Sequence, residues 1–195
     1  MNVSLEQAQA HLQAHVPAGS RWLAEARGAD LAVAFASAGR RLGRSPLPPL
    51  GELRFDADEL GRALLLWSAP DADRLARASD AFYKGDNRER QAVLKALPLF
   101  PEPERYVPLA TEGCRLNVVP VFEAIACENP FPRDHFSEAQ FNQLALKAVF
   151  LGVRVSRILG LPGRKGPELS RMASDYAAER TAAGRAVPED LRLLT

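Results

Sequence analysis

The amino-acid sequence predicts an all-α protein, on three observations. Apolar residues recur at intervals of three and four along most of the 195 residues, which is the spacing of one helix face. β-Branched runs and NG or DG hairpin turns are lacking, and with them the usual strand signals. Prolines, glycines and aspartates stand between the periodic stretches, where they break or cap helices. Short helices joined by tight turns are the pattern of stacked helical hairpins, an α-solenoid of armadillo or HEAT-like type. With no strict repeat at the usual period of about 40 residues, an irregular helical bundle is the other architecture. The length suits one domain, so residues 1–195 are expected to form a single all-helical unit.

The elements follow in order. Ser4 and Gln7 make a capping box that opens the first helix, and Pro17 and Gly19 punctuate before a second, from about Arg21 to Arg41. The segment Gly43 to Phe55 carries Pro46, Pro48 and Pro49 and reads as a linker, because proline removes a donor and clashes with the preceding turn. Helices are expected over Asp56 to Trp67, Asp71 to Tyr83 and Asp86 to Leu97. Gly85 supplies the last break, and Asp86 with Glu89 forms another capping box. Pro101, Pro103 and Pro108 lead into a helix ending near Leu116, and Val118 to Glu128 forms the next, closed by the turn Asn129-Pro130-Phe131-Pro132. A long helix then runs from Ser137, capped with Gln140, to Leu159, and stops at the cluster Gly160 to Pro167. Pro167 suits the first position of a final helix to about Ala183, with Gly184 at its end.

Charge excludes little by itself, since 25 Lys and Arg face 24 Asp and Glu. That balance leaves no global field to attract nucleic acid or an anionic membrane. Cys114 and Cys127 belong to no CxxC motif and have no histidine nearby, which fits reduced thiols in a helical core and a cytoplasmic location. The start MNVSLEQAQAHLQAH lacks the basic and apolar regions of a signal peptide. The most apolar stretch, Leu116 to Cys127, is interrupted by Asn117, Pro120 and Glu123 and is far short of the roughly 20 residues that span a bilayer. An integral membrane protein is therefore not expected.

Several polar groups stand where apolar ones would be expected. On the Ser137 to Leu159 helix two apolar faces flank Gln143, Lys147 and Arg154, which project within an arc of about 40° and are bordered by Arg157. Two apolar faces mark a central helix, whose polar strip meets a solvent slot or buried partners. Glu123 is the lone charge between Val118 and Cys127 and requires a partner if buried. Lys147 is the expected one, either as an ion pair fixing helix register or as a ligand-facing group. On the final helix Arg171 and Asp175, Asp175 and Glu179, and Tyr176 and Arg180 are four apart, the spacing of a salt-bridge ladder. Facing Lys147 and Arg154, the same residues would make a polar site.

Other motifs carry less. His11 and His15 could share a metal from one helix face, but no third ligand follows at a recognised spacing, and no metal or cofactor is expected. His135 reads as a hydrogen-bonded turn residue. Gly-rich phosphate loops, GxSxG elbows and HExxH helices are absent from the sequence, and Gly160, Gly163 and Gly166 follow a helix rather than the strand a dinucleotide site needs.

The stretch CRLNVVPVFEAIACENPFPRDHFSEAQFNQLALKAVFLGVRVSRILGL, followed by PELSRMASDYAAERTAAGRAVPEDL, resembles the EboA family of bacterial proteins from Cys114 to about Leu191. The first half agrees in helix pattern and in GDNRERQAVLKALPL. The strongest elements are Cys114, Arg115 and Asn117; Phe122, Glu123 and Ala124; the Asn129 to Pro132 turn; Asn142, Gln143, Leu146 and Lys147; and Pro167, Glu168, Leu169, Arg171 and Met172 leading to Asp175, Tyr176, Glu179 and Arg180. The chain departs from the family pattern at Arg164-Lys165-Gly166, where a run ending in Asn is expected.

The resemblance implies a part in metabolite traffic, in which a small-molecule precursor passes from cytoplasm to periplasm. It also implies operon-encoded neighbours that include a TatD-type hydrolase and a prenyltransferase. It carries over no catalytic residues, so a non-enzymatic metabolite-binding or adaptor protein is the leading expectation. Glu123, Asn142, Gln143, Lys147, Arg154, Asp175, Tyr176 and Arg180 are the ligand-binding candidates. The alternatives are an enzyme of the same pathway, using Glu123 or Asp175 as acid or base beside Lys147, and a nucleic-acid-binding helical stack. The last would need Arg154, Arg157, Arg164, Lys165 and Arg171 on one face.

Overall fold

The computed structural model of the chain describes residues 3–28 and 30–195, and the fold is all-α. The helices are α1 (Leu5–His15), α2 (Pro17–Ala26), α3 (Leu31–Leu42), α4 (Ala57–Trp67), α5 (Asp71–Lys84), α6 (Asn87–Ala96), α7 (Val107–Arg115), α8 (Val119–Ala126), α9 (Phe131–His135), α10 (Glu138–Leu151), α11 (Leu161–Arg164) and α12 (Pro167–Ala182). Short 3-10 turns lie at Leu97–Leu99, Pro103–Tyr106, Val155–Arg157 and Glu189–Leu193.

The capping boxes read from the sequence are formed at Ser4, Asp86 and Ser137, each with its partner three residues on. A fourth opens α4, where the Asp56 N–H donates to Glu59 Oε2 at 2.8 Å. Gly184 closes α12 in a left-handed conformation (φ 66°), and the Arg185 N–H reaches back to the Arg180 carbonyl at 2.9 Å.

Two expected helix boundaries are corrected. The helix expected over Arg21 to Arg41 is two helices, because the chain turns at Arg27–Gly28 and Asp30 caps α3, accepting from Ala32 N at 2.8 Å and Val33 N at 3.2 Å. The 43–55 segment, as expected, carries no helix, and it is a folded loop. Leu47 N donates to Phe55 O at 2.9 Å and Ala57 N to Ser45 O at 3.0 Å, and Leu47, Leu53 and Phe55 are buried. The long helix expected to reach Leu159 ends at Leu151. Gly152 turns left-handed (φ 72°), and Val153 N–H bonds to Ala148 O at 2.8 Å, the paired closure of a Schellman motif. Arg154 therefore leaves the helical strip that held it with Gln143 and Lys147.

Helix α4 is the hub. Every residue from Ala57 to Leu66 is buried, because α1, α2, α3, α5 and α6 all pack on it. A solenoid repeat touches only its neighbours in line, so this half of the chain is an irregular bundle. Beyond it the helices stack in succession, α6 on α8, α8 on α10 and α10 on α12. Asn129 pins the middle of that stack: its buried side chain donates to Leu94 O at 3.2 Å and Ala124 O at 2.9 Å and accepts from Phe131 N at 3.0 Å. The Asn-Pro-Phe-Pro turn thereby joins α6, α8 and α9.

Candidate functional site

Helices α7 and α10 enclose a cavity of about 240 Å³ between Thr111, Cys114, Arg115, Gln140, Gln143 and Lys147, with Phe136 and Leu144 completing the wall. The spacings explain the lining. Thr111, Cys114 and Arg115 are three and four apart on α7, and Gln140, Gln143, Leu144 and Lys147 repeat the pattern on α10, so each set shares a face. Gln140 Nε2 spans the gap to Thr111 Oγ1 at 3.1 Å.

Lys147 is held by backbone. Its Nζ donates to the carbonyls of Arg115 at 2.9 Å and Leu116 at 3.1 Å, where the end of α7 leaves oxygens without intrahelical partners and a partial negative charge. An ammonium has three N–H groups, so one is free of these bonds. The ammonium also lies 5.8 Å from the Phe122 ring centroid. Partial burial holds Lys147 below the usual lysine range. Burial pushes the Cys114 thiol up to about 12, so it is a neutral thiol at physiological pH and a poor nucleophile. Gln143 is exposed at the rim.

The sequence-predicted site residues do not converge. Glu123 pairs with Arg157 Nη1, not with Lys147. The same guanidinium grips Glu128 through Nε at 2.8 Å and Nη2 at 2.9 Å. The reason is the early end of α10: the chain turns at Gly152, and the following 3-10 turn carries Arg157 back to α8, while Lys147 is engaged by α7. Glu123 consequently lines a different cavity from Lys147. Arg154 is exposed on the loop.

On α12, Asp175 accepts from Arg171 at 2.6 Å, and Arg171 also holds Glu168 at 2.7 and 2.9 Å, so part of the ladder is built. Tyr176 is half-buried against the core, and Arg180, instead of meeting it, donates to Ala186 O at 2.8 and 3.0 Å. Asn142 is only 1 % exposed, and neither amide atom has a hydrogen-bond partner among the described residues.

Other expectations are resolved in the same way. Arg164 donates to the Arg133 and Phe136 carbonyls at 2.7 and 2.6 Å and lies 4.7 Å over Phe141. Lys165 donates to the Thr195 carbonyl. With Arg157 and Arg171 also in ion pairs, four of the five cations required for a phosphate-binding face already have protein partners. His11 meets the Pro48 carbonyl at 2.9 Å and His15 the His11 carbonyl at 2.8 Å. Among the described residues no three His, Cys, Asp or Glu side chains form a set able to hold a metal ion, and no helix is long and apolar enough to cross a membrane.

Sequence reading missed a buried ionic network at the N-terminus of α4. Asp58 and Glu59 are 0 % exposed. Asp58 accepts from Arg62 at 2.5 Å and from Arg88 at 2.7 Å, and Glu59 accepts from Lys95 at 2.7 Å. The available signal was Asp58, Glu59 and Arg62 close together in a helix whose other residues are Ala, Leu, Gly and Trp.

A family model described as "Metabolite traffic protein EboA" matches residues 51–194. The chain belongs to the EboA family. No curated protein and no solved structure matches it. The EboA match begins inside the 43–55 loop and takes in α4 to α12, so both walls of the α7–α10 cavity and the buried network of α4 fall within it, while α1 to α3 lie outside.

Proposed function

We propose that the chain is a non-enzymatic metabolite-binding protein of small-molecule traffic and that the α7–α10 cavity holds the metabolite. The family description supplies the pathway class. The observation that carries the choice of site is that Gln143 and Lys147 of α10 and Cys114 and Arg115 of α7 border one open cavity. Its ionisable lining consists of Lys147, Arg115 and the neutral thiol of Cys114, so it offers donors to an anionic or carbonyl oxygen and no carboxylate to act as a base. At about 240 Å³ it is smaller than the roughly 300–1,000 Å³ of drug-sized sites, and it suits a small metabolite or the polar head of a larger one. Catalysis by Glu123 or Asp175 beside Lys147 is disfavoured, because each carboxylate is engaged by an arginine elsewhere. In this reading the chain works in the cytoplasm ahead of transfer to the periplasm and passes its cargo to operon-encoded partners such as a TatD-type hydrolase or a prenyltransferase.

Mass spectrometry of small molecules released from the purified protein tests the site. The wild type is expected to retain a defined compound that Gln143→Ala and Lys147→Ala lose, with helical circular dichroism unchanged. Equal retention by all three proteins, or none by the wild type, refutes the assignment.

A further inference from the structure

A second cavity, of about 120 Å³, lies between the 43–55 loop, α6, α8 and the Val155–Arg157 turn. It shares no lining residue with the α7–α10 cavity. Its charged lining is Arg54, Lys95, Glu123, Glu128 and Arg157, and these groups are not mutually saturated. Arg157 bonds through all three of its nitrogens to Glu123 and Glu128, a trio with one net negative charge in which Glu123 uses only Oε1. Lys95 gives one N–H to Glu59 Oε2 at 2.7 Å, which leaves two donors. Arg54 bonds only to the Gly51 and Leu53 carbonyls of its own loop, both at 3.1 Å, and among the described residues no carboxylate pairs with it. One small space thus presents spare cationic donors on Arg54 and Lys95 and a spare anionic acceptor on Glu123.

The wall that presents Lys95 is rigidly built. Glu59, which orients it, is fully buried, and Arg88 lies between Asp56, Asp58 and Glu59. Apolar side chains would hold α4 and α6 together as well as such a network does. What the network adds is a fixed position for the ammonium at the edge of the cavity.

We propose that this cavity binds a small zwitterion of the size of a simple α-amino acid, with its carboxylate on Lys95 and Arg54 and its ammonium on Glu123. A lone anion would meet the negative trio, and a lone cation would meet Arg54 and Lys95. A molecule carrying both charges a few ångströms apart complements the whole lining.

Saturation-transfer NMR and calorimetric titration of the full chain with glycine, alanine, serine and aspartate test this, with acetate and methylamine as single-charge controls. At least one amino acid is expected to bind saturably while both controls fail at equal concentration. Arg54→Ala and Glu123→Gln should each weaken binding at least tenfold, and Lys147→Ala should leave it unchanged. Arg54 is exposed on a loop, so its variant reports on the site even if Glu123→Gln loosens the arginine trio. Failure of every amino acid, acetate binding as tightly as they do, or full affinity in Arg54→Ala overturns the proposal.

Discussion

Asn142 carries a cost in the core of α10, since its amide is buried and neither polar atom is hydrogen-bonded among the described residues. A buried polar group without a partner costs about 1–3 kcal/mol, and leucine reproduces the forked shape of asparagine without the polar atoms. Asn142→Leu is therefore expected to raise the free energy of unfolding by about 1 kcal/mol or more in urea titrations. A variant less stable than the wild type would mean that the amide is satisfied in solution. At this scale the sequence was only partly legible. It showed that Glu123, alone among apolar neighbours, needed a partner, but Arg157 comes from a turn 34 positions away, and nothing local to either residue encodes that meeting. Lys147 stands out in the sequence as a charge between two apolar faces, but its partners are backbone carbonyls, which no residue pattern displays.

Among the elements, α4 is where electrostatics and burial meet most directly. Burial pushes the Asp58 carboxyl up, but hydrogen bonds and charge from Arg88 and Arg62 more than offset this and hold it below its ordinary value. A carboxyl with a lowered folded pKa contributes stability that is fully present above its unfolded value of about 3.9 and is lost as pH falls through the folded one. Asp58→Asn removes one partner of a buried pair and is expected to cost about 3–5 kcal/mol at pH 7. The gap to the wild type should narrow below about pH 4. Urea unfolding at pH 7 and pH 3 checks both, and an equal gap at the two values would remove Asp58 from the acid response. Helix starts were legible because a capping box is written within four residues, as at Ser4, Asp86 and Ser137. The ends at Gly28 and Gly152 were not, since apolar spacing runs on past both and a single glycine is tolerated in many helices.

For the whole molecule, the family match and the physical core do not start at the same place. The match begins at residue 51, but α4 is covered by α1, α2 and α3, so a chain beginning at Gly51 would open the hub helix to water. That truncation is expected to lose cooperative thermal unfolding by circular dichroism, while the full chain melts in one transition. Two separate transitions in the full chain, or a well-folded truncation, would show that the halves stand independently. The all-α class was legible because it follows from residue spacing, whereas the bundle around α4 arises from which helices meet, information spread over the entire chain.

The 43–55 loop also bears on how the molecule assembles. Its base closes locally, Ala57 N on Ser45 O at 3.0 Å, but its tip reaches far: Glu52 takes Arg133 through two bonds, at 2.8 and 2.9 Å, across 81 positions of chain. Contacts between distant residues carry the larger loop-closure entropy and slow the search for the native state. The base closes between neighbouring stretches of chain and the Glu52 latch across 81 positions, so the latch carries the larger entropic cost of the two, and through it the loop between α3 and α4 is fastened to α9 in the later half of the chain.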